Sequence, residues 1–239
     1  MAATKKGLFH LLGVTEQVTS HQEKFVSFLG GFISIYAIFL ITNKFFSVAE
    51  AVYIIPSMGA SAVLLFAAPN VQFSQPWNVF GGHIISAIIG VGCYQFISNI
   101  HIAAAASVGL AIWVQYYMRC IHPPGGATAL AAVIGGSQLH DLGYMYAITP
   151  VLINTVTILF IAVVFNGLIS WRHYPANLKH KKPEEVATTH SAGENVYPPI
   201  NHEDFVYALS HIDSLVDINE EDLQEIYGLA TGRKILKQK

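Results

Sequence analysis

Between Phe25 and Trp171 the chain carries only four charged residues, Lys44, Glu50, Arg119 and Asp141; its other charges lie in the first 24 residues or after residue 171. About a quarter of a soluble protein's residues are charged. A soluble domain of this length could not stay dissolved on four. Over the whole chain 12% of residues are charged and 53% hydrophobic, with a mean hydropathy of +0.45. This pattern excludes a soluble enzyme, a nucleic-acid binder and a disordered protein. It specifies an integral membrane protein embedded in a lipid bilayer. Cys93 and Cys120 both fall inside the apolar block and read as small buried residues rather than a disulfide.

A spanning helix needs about 20 mostly apolar residues. Phe25 to Thr42, Val79 to Ile97, Ile102 to Met118 and Tyr144 to Trp171 meet that need, the last being the longest. Two further stretches are interrupted. Ala51 to Ala68 contains Pro56 and Gly59, and Pro124 to Gly136 is short and follows a Pro-Pro-Gly-Gly break. Trp77, Trp113, Tyr116, Tyr117, Tyr144, Tyr146 and Trp171 fall near span ends, where aromatic side chains favour the interface. Lys5, Lys6 and Lys24 precede the first span, and Arg172, Lys179, Lys181 and Lys182 follow the last. Both termini are therefore expected on the cytoplasmic side, which requires an even number of crossings. Counting the interrupted stretches as crossings gives six; counting both as re-entrant gives four. Arg119 favours six, because only then does it face the cytoplasm.

The chain divides into a polar segment 1–24, a transmembrane domain 25–172, a linker 173–200 and a tail 201–239. The first segment has no apolar core and no small-residue cleavage site, so the first span is expected to be its own insertion signal. In the tail, Asn201 and Asn219 each precede acidic residues and then apolar residues at helical spacing. Those are the marks of a capped helix start, and two short amphipathic helices are expected. A tail this small cannot build a substantial core. It is expected to dock on the membrane domain or a neighbouring subunit.

The two interrupted stretches share a motif. Pro56-Ser57-Met58-Gly59-Ala60-Ser61-Ala62-Val63 and Pro123-Pro124-Gly125-Gly126-Ala127-Thr128-Ala129-Leu130 both read P-x-x-G-A-[S/T]-A-aliphatic. Each lies between two long apolar stretches, so the chain reads as two inverted repeats of helix, broken half-helix and helix, about 25–98 and 102–171. Matching Gly/Pro-interrupted segments in inverted repeats point to a transporter's binding site. Two half-helix N-termini meeting near the bilayer midplane would offer free N–H groups and positive dipole ends to an anion. Ser57, Ser61 and Thr128 would add hydroxyl donors. The competing reading is that Gly and Pro merely allow tight helix packing.

Polar residues inside spans are functional candidates by default. His122 precedes the second half-helix and offers a proton-dependent positive charge beside a bound anion, or else a neutral ring capping the chain break. His83 follows Gly81-Gly82 and reads first as a neutral structural histidine. Asn78 is a further candidate, although it, Gln75 and Asn99 read mainly as loop or cap residues. The histidines show no metal-binding spacing, so no metal and no cofactor are expected, nor an enzyme.

The stretch His122–Leu130, with Pro56–Val63 and Gln75-Pro-Trp-Asn-Val-Phe-Gly-Gly-His83, resembles the HPP family of integral membrane proteins over about residues 20–172. That resemblance implies a transporter, with nitrite as the leading substrate, since plastid and cyanobacterial members are associated with nitrite. Some members carry C-terminal nucleotide-binding CBS domains; a tail of about 65 residues is too short for a CBS pair. The expectation is a multi-pass transporter of the bacterial inner membrane. It would take a small inorganic anion, with H⁺ as a candidate co-substrate and a homo-oligomer as a candidate assembly. A passive anion channel with the same pore, or a membrane sensor or scaffold acting through the acidic tail, are the rival functions.

Overall fold

The computed structural model describes residues 19–176. The Ser20 hydroxyl accepts from the Glu23 N–H at 3.1 Å and starts α1, His21–Thr42. There follow α2 (Val48–Ala67), α3 (Pro76–Phe96), α4 (Ile100–Tyr117), α5 (Pro123–Ile134) and the short α6 (Ser137–Asp141). A π-helical turn, Ala147–Leu152, leads into α7, Ile153–Gly167. No strand occurs among the described residues. Helix starts are marked chemically: Pro76 begins α3, the Asn99 side chain accepts the His101 and Ile102 N–H groups at α4, and two prolines open α5. The expected tail helices, nearly all of the linker and residues 1–18 lie outside the described residues.

Contacts between helix ends give the directions. Gly30 of α1 meets Phe66 near the end of α2, so those two are antiparallel. Thr42 at the end of α1 pairs with Asn154 at the start of α7, while Glu23 at its beginning meets Trp171 and Arg172 beyond α7. These two helices therefore run opposite ways as well. The Trp77 ring at the start of α3 donates to the Met118 carbonyl beyond α4, at 3.1 Å. α5 runs with α3, because Gly82 lies against His122 and Gly90 against Ala129 and Ala132. Directions thus alternate along α1, α2, α3, α4, α5 and α7. Among the described residues four stretches are long and apolar enough to cross a bilayer: α1, α3, α4, and the turn-plus-α7 unit Ala147–Gly167. Two shorter apolar helices lie at Tyr53–Ala67 and Pro123–Ile134.

α1 and α4 are the most peripheral helices. Phe25, Phe28, Phe32 and Tyr36 form an exposed aromatic ladder on α1, its successive rings about 6 Å apart between centroids. Trp113, Tyr116 and Tyr117 do the same service for α4, as interfacial aromatics should. Tyr146 departs from that expectation. It is buried, and its hydroxyl donates to the Thr128 carbonyl at 3.1 Å.

Two other expectations are corrected. α2 is not broken at Pro56: the helix runs from Val48 to Ala67 with the proline inside it. Pro56 gives up its own N–H bond and crowds the carbonyl four residues before it, at a cost of about 3 kcal/mol, and the burial of Ile54, Ile55, Met58, Leu65 and Phe66 on both sides offsets that cost and holds the helix in place. The last span is not one clean helix either. Thr149 has non-helical dihedrals (φ −125°, ψ 109°) ahead of Pro150, so regular helix begins only at Ile153. The residue before a proline is pushed out of the helical region, and here the chain obeys. The second half-helix forms as expected, a twelve-residue helix with Pro124 inside its first turn.

The chain is clasped at one end by Arg172, which is buried. Its guanidinium donates to Glu23 Oε1 at 2.6 Å, Asn166 Oδ1 at 2.7 Å, Ser27 Oγ at 2.8 Å and the Phe66 carbonyl at 2.9 Å. This links the start of α1 to the ends of α2 and α7. Beyond it the Tyr174 hydroxyl donates to the Ser74 carbonyl at 2.8 Å, and Gln75 Oε1 accepts the Ala176 N–H at 3.0 Å. The first residues of the expected linker are therefore a strap packed on the turn between α2 and α3.

Candidate functional site

At the centre of the bundle Ser61, His83, His122 and Thr128 are all fully buried and form one hydrogen-bonded chain. Ser61 Oγ lies 2.8 Å from His83 Nε2 and 2.8 Å from His122 Nε2. His83 Nδ1 is 2.7 Å from Thr128 Oγ1, and His122 Nδ1 donates to the Phe73 carbonyl at 2.8 Å. The two imidazole centroids are 4.9 Å apart. Ser61 and Thr128 occupy the same place in the two copies of the P-x-x-G-A-[S/T]-A motif. The repeat therefore meets itself at His83.

Small residues make that meeting possible. A Cβ at Gly82 would land on His122, and one at Gly125 would sit 2.7 Å from the Gly82 carbonyl and 2.8 Å from both Gln115 Nε2 and Ser86 Oγ. α3, α4 and α5 thus converge closely enough for short side chains to bridge them. Gln115 Nε2 donates to Ser86 Oγ at 2.8 Å, and Gln115 Oε1 accepts the His122 N–H at 2.9 Å. Asn78 Nδ2 donates to the Ile121 carbonyl at 2.9 Å, fixing the segment that leads into α5. A buried polar group without a partner costs about 1–3 kcal/mol, and this cluster leaves none of its side chains in that state.

The other motif residues point elsewhere. Pro56, Ala60, Pro123 and Ala127 are exposed on the outside of the bundle, and Met58 is packed in the apolar core with Ile38 and Leu65. Gly59 lines an apolar groove between α1 and α2, beside Gly31, Ala62 and Phe66. Gly126 faces Val108 of α4, with 3.7 Å to spare for a Cβ. Ser57 is buried; its hydroxyl donates to the Ile54 carbonyl, and its carbonyl lies 3.0 Å from Ser61 Oγ.

The expected cradle of two helix N-termini is therefore not what these residues build. Pro56 lies within α2 and starts no helix. At α5 the first two positions are prolines without N–H groups, and the Gly125 N–H is bonded to the His122 carbonyl at 2.8 Å. The donors that reach the centre are side chains: two imidazoles and two hydroxyls. The sequence reading of His83 as a neutral structural histidine did not place it beside His122, and Gln115, Ser86 and the Phe73 carbonyl were not singled out. A glutamine inside the Ile102 to Met118 stretch was the available signal, since polar side chains at membrane depth need partners. Among the described residues no group of three or more His, Cys, Asp or Glu side chains is placed to hold a metal.

Among the comparisons with known proteins, the family model carries the assignment. The family model described as HPP, transmembrane region, matches residues 16–175. Two proteins of Dictyostelium discoideum, both named as transmembrane proteins, are similar over 153 residues. One is 36% identical, with 62% of this chain and 49% of its own length aligned; the other is 33% identical, with 62% and 53% aligned. The chain thus spans about half the length of the curated relatives it matches. No solved structure matches. With a buried histidine cluster framed by the two motifs, in an apolar bundle matched over 16–175, this membrane protein belongs to the HPP family.

Proposed function

We propose that the bundle is a carrier that moves a small inorganic anion, nitrite first, across the inner (plasma) membrane, with a proton as its partner. The observation behind this is the meeting of Ser61 and Thr128, equivalent motif residues, on the two ring nitrogens of His83. Polar groups at this depth are costly and mark solute or proton paths. Imidazole N–H and hydroxyl groups are donors suited to a small anion, and a protonated imidazole adds the positive charge that the span region otherwise lacks. Nitrite comes from the family resemblance. Full burial of the cluster favours a carrier with a closed centre over an open channel.

The alternating helix directions support six crossings, three in each repeat. Glu23 and Arg172 then share one side, and the lysines flanking the bundle make that side cytoplasmic. Alternating access follows from one repeat rocking against the other about His83.

A stability screen tests the reading. Thermal unfolding of the purified protein is measured with nitrite, nitrate, chloride, formate, bicarbonate and sulfate. A ligand at a hundred times its Kd adds about 2.7 kcal/mol to the native state, so nitrite is expected to raise Tm by a few degrees, and His122→Gln to remove that rise. No shift with any of these anions would sink the anion assignment.

A further inference from the structure

Hydrogen-bond chemistry around Ser61 determines where the protons lie. The Phe73 carbonyl can only accept, so His122 Nδ1, 2.8 Å away, carries a hydrogen. A neutral His122 then has a bare Nε2, to which the Ser61 hydroxyl donates across 2.8 Å. Ser61 Oγ in turn accepts from His83 Nε2–H, which leaves His83 Nδ1 to accept from the Thr128 hydroxyl. Every donor in the chain points from Thr128 toward Phe73. One contact stays unmet. The Ser57 carbonyl lies 3.0 Å from Ser61 Oγ, but the single Ser61 hydrogen is committed to His122.

One added proton resolves the conflict. With Nε2 also protonated, His122 donates from both nitrogens, to Ser61 and to Phe73. Ser61 then turns its hydrogen to the Ser57 carbonyl and accepts from both rings. His83 and Thr128 keep their bonds. Only in this state are all three partners of Ser61 satisfied.

We propose that Ser61 joins His83 and His122 into a store for one proton, taken up on His122 Nε2 as the Ser61 hydroxyl rotates from His122 to the Ser57 carbonyl. A second proton is excluded, because it would place two cations with ring centroids 4.9 Å apart in a low-dielectric centre. Two other titratable groups are packed on the same elements: Cys120, against Gly81, and Tyr146, on the Thr128 carbonyl. From α4 the neutral Gln115 faces His122. Among the described residues no carboxylate is hydrogen-bonded to either ring. A buried cation without a counter-charge is expensive. On the transport reading above, the anion is that counter-charge, and one proton enters with each monovalent anion.

Nitrogen-15 magnetic resonance of the histidine rings, in the full chain reconstituted in bilayers, tests the store without any substrate. At alkaline pH the expected pattern is His122 protonated on Nδ1 and His83 on Nε2. Acidification is expected to add one proton per molecule to the pair, on His122 Nε2, with the His83 tautomer unchanged. Ser61→Ala should lose this single-proton step, the rings then titrating separately. The reverse tautomers in the unmodified protein, or two protons entering the pair together, would overturn the proposal. Transport is read separately, as nitrite-driven proton movement into vesicles. The predicted ring pattern without such movement would keep the store and sink the carrier; movement with the wrong tautomers would do the opposite.

Discussion

At the scale of single residues, shape rather than polarity separates Gly82 from Gly126. Gly82 sits against His122 and the Cys120 carbonyl, and an added methyl there has nowhere to go. Gly126 faces Val108 across an ordinary van der Waals gap. Overpacking costs about 1–3 kcal/mol, whereas replacing a helical glycine by alanine gains up to about 1 kcal/mol where space allows. Gly82→Ala is therefore expected to lower thermal stability, and Gly126→Ala to leave it unchanged or raise it. Equal losses in the two variants, measured side by side in the same detergent, would show that the packing at His122 is misdescribed. Nothing in the residue order tells these glycines apart. A motif fixes spacing along the chain, but which glycine faces another backbone depends on helix rotation, and that is settled by packing.

Among the elements, the strap from Arg172 to Ala176 is the least expected. From its composition this stretch reads as the start of a linker, yet Tyr174 is buried and bonded to the turn whose Phe73 carbonyl holds His122. Burial pushes the Tyr174 phenol well above its ordinary range, so folding favours the protonated form. Its contribution is complete below about pH 10 and is lost as the pH rises further. Tyr174→Phe is expected to cost about 1 kcal/mol at neutral pH, and the gap to the parent protein should shrink through the alkaline limb. A gap that stays constant from pH 7 to 11 would mean that folding does not raise the phenol's pKa, and no gap at neutral pH that the hydroxyl contributes nothing. The long helices were legible from their runs of apolar residues, whereas the short α6 was not. Nor was continuity. Pro56 leaves its helix intact because buried residues flank it, while Pro150 is preceded by a break. The same residue type gave no local signal for the difference.

For the molecule as a whole, the scarcity of charge between Phe25 and Trp171 proves to be organised. Arg172, just past the last span, closes one end of the bundle on Glu23. The centre is left to two histidines and two hydroxyls. The repeated motif was visible in the sequence; the pair of half-helix N-termini expected from it does not form, since Pro56 lies inside its helix and the Gly125 N–H is taken by the His122 carbonyl. What the motif delivers instead is a matched pair of hydroxyls on either side of His83. On the proposed function such a centre ties solute movement to protonation, and the most direct measurement is nitrite uptake into proteoliposomes under an imposed pH gradient. Acid outside is predicted to drive saturable nitrite accumulation that collapses when the gradient is dissipated, with His122→Gln reducing the rate at least tenfold. Uptake that ignores the gradient and survives His122→Gln would contradict it.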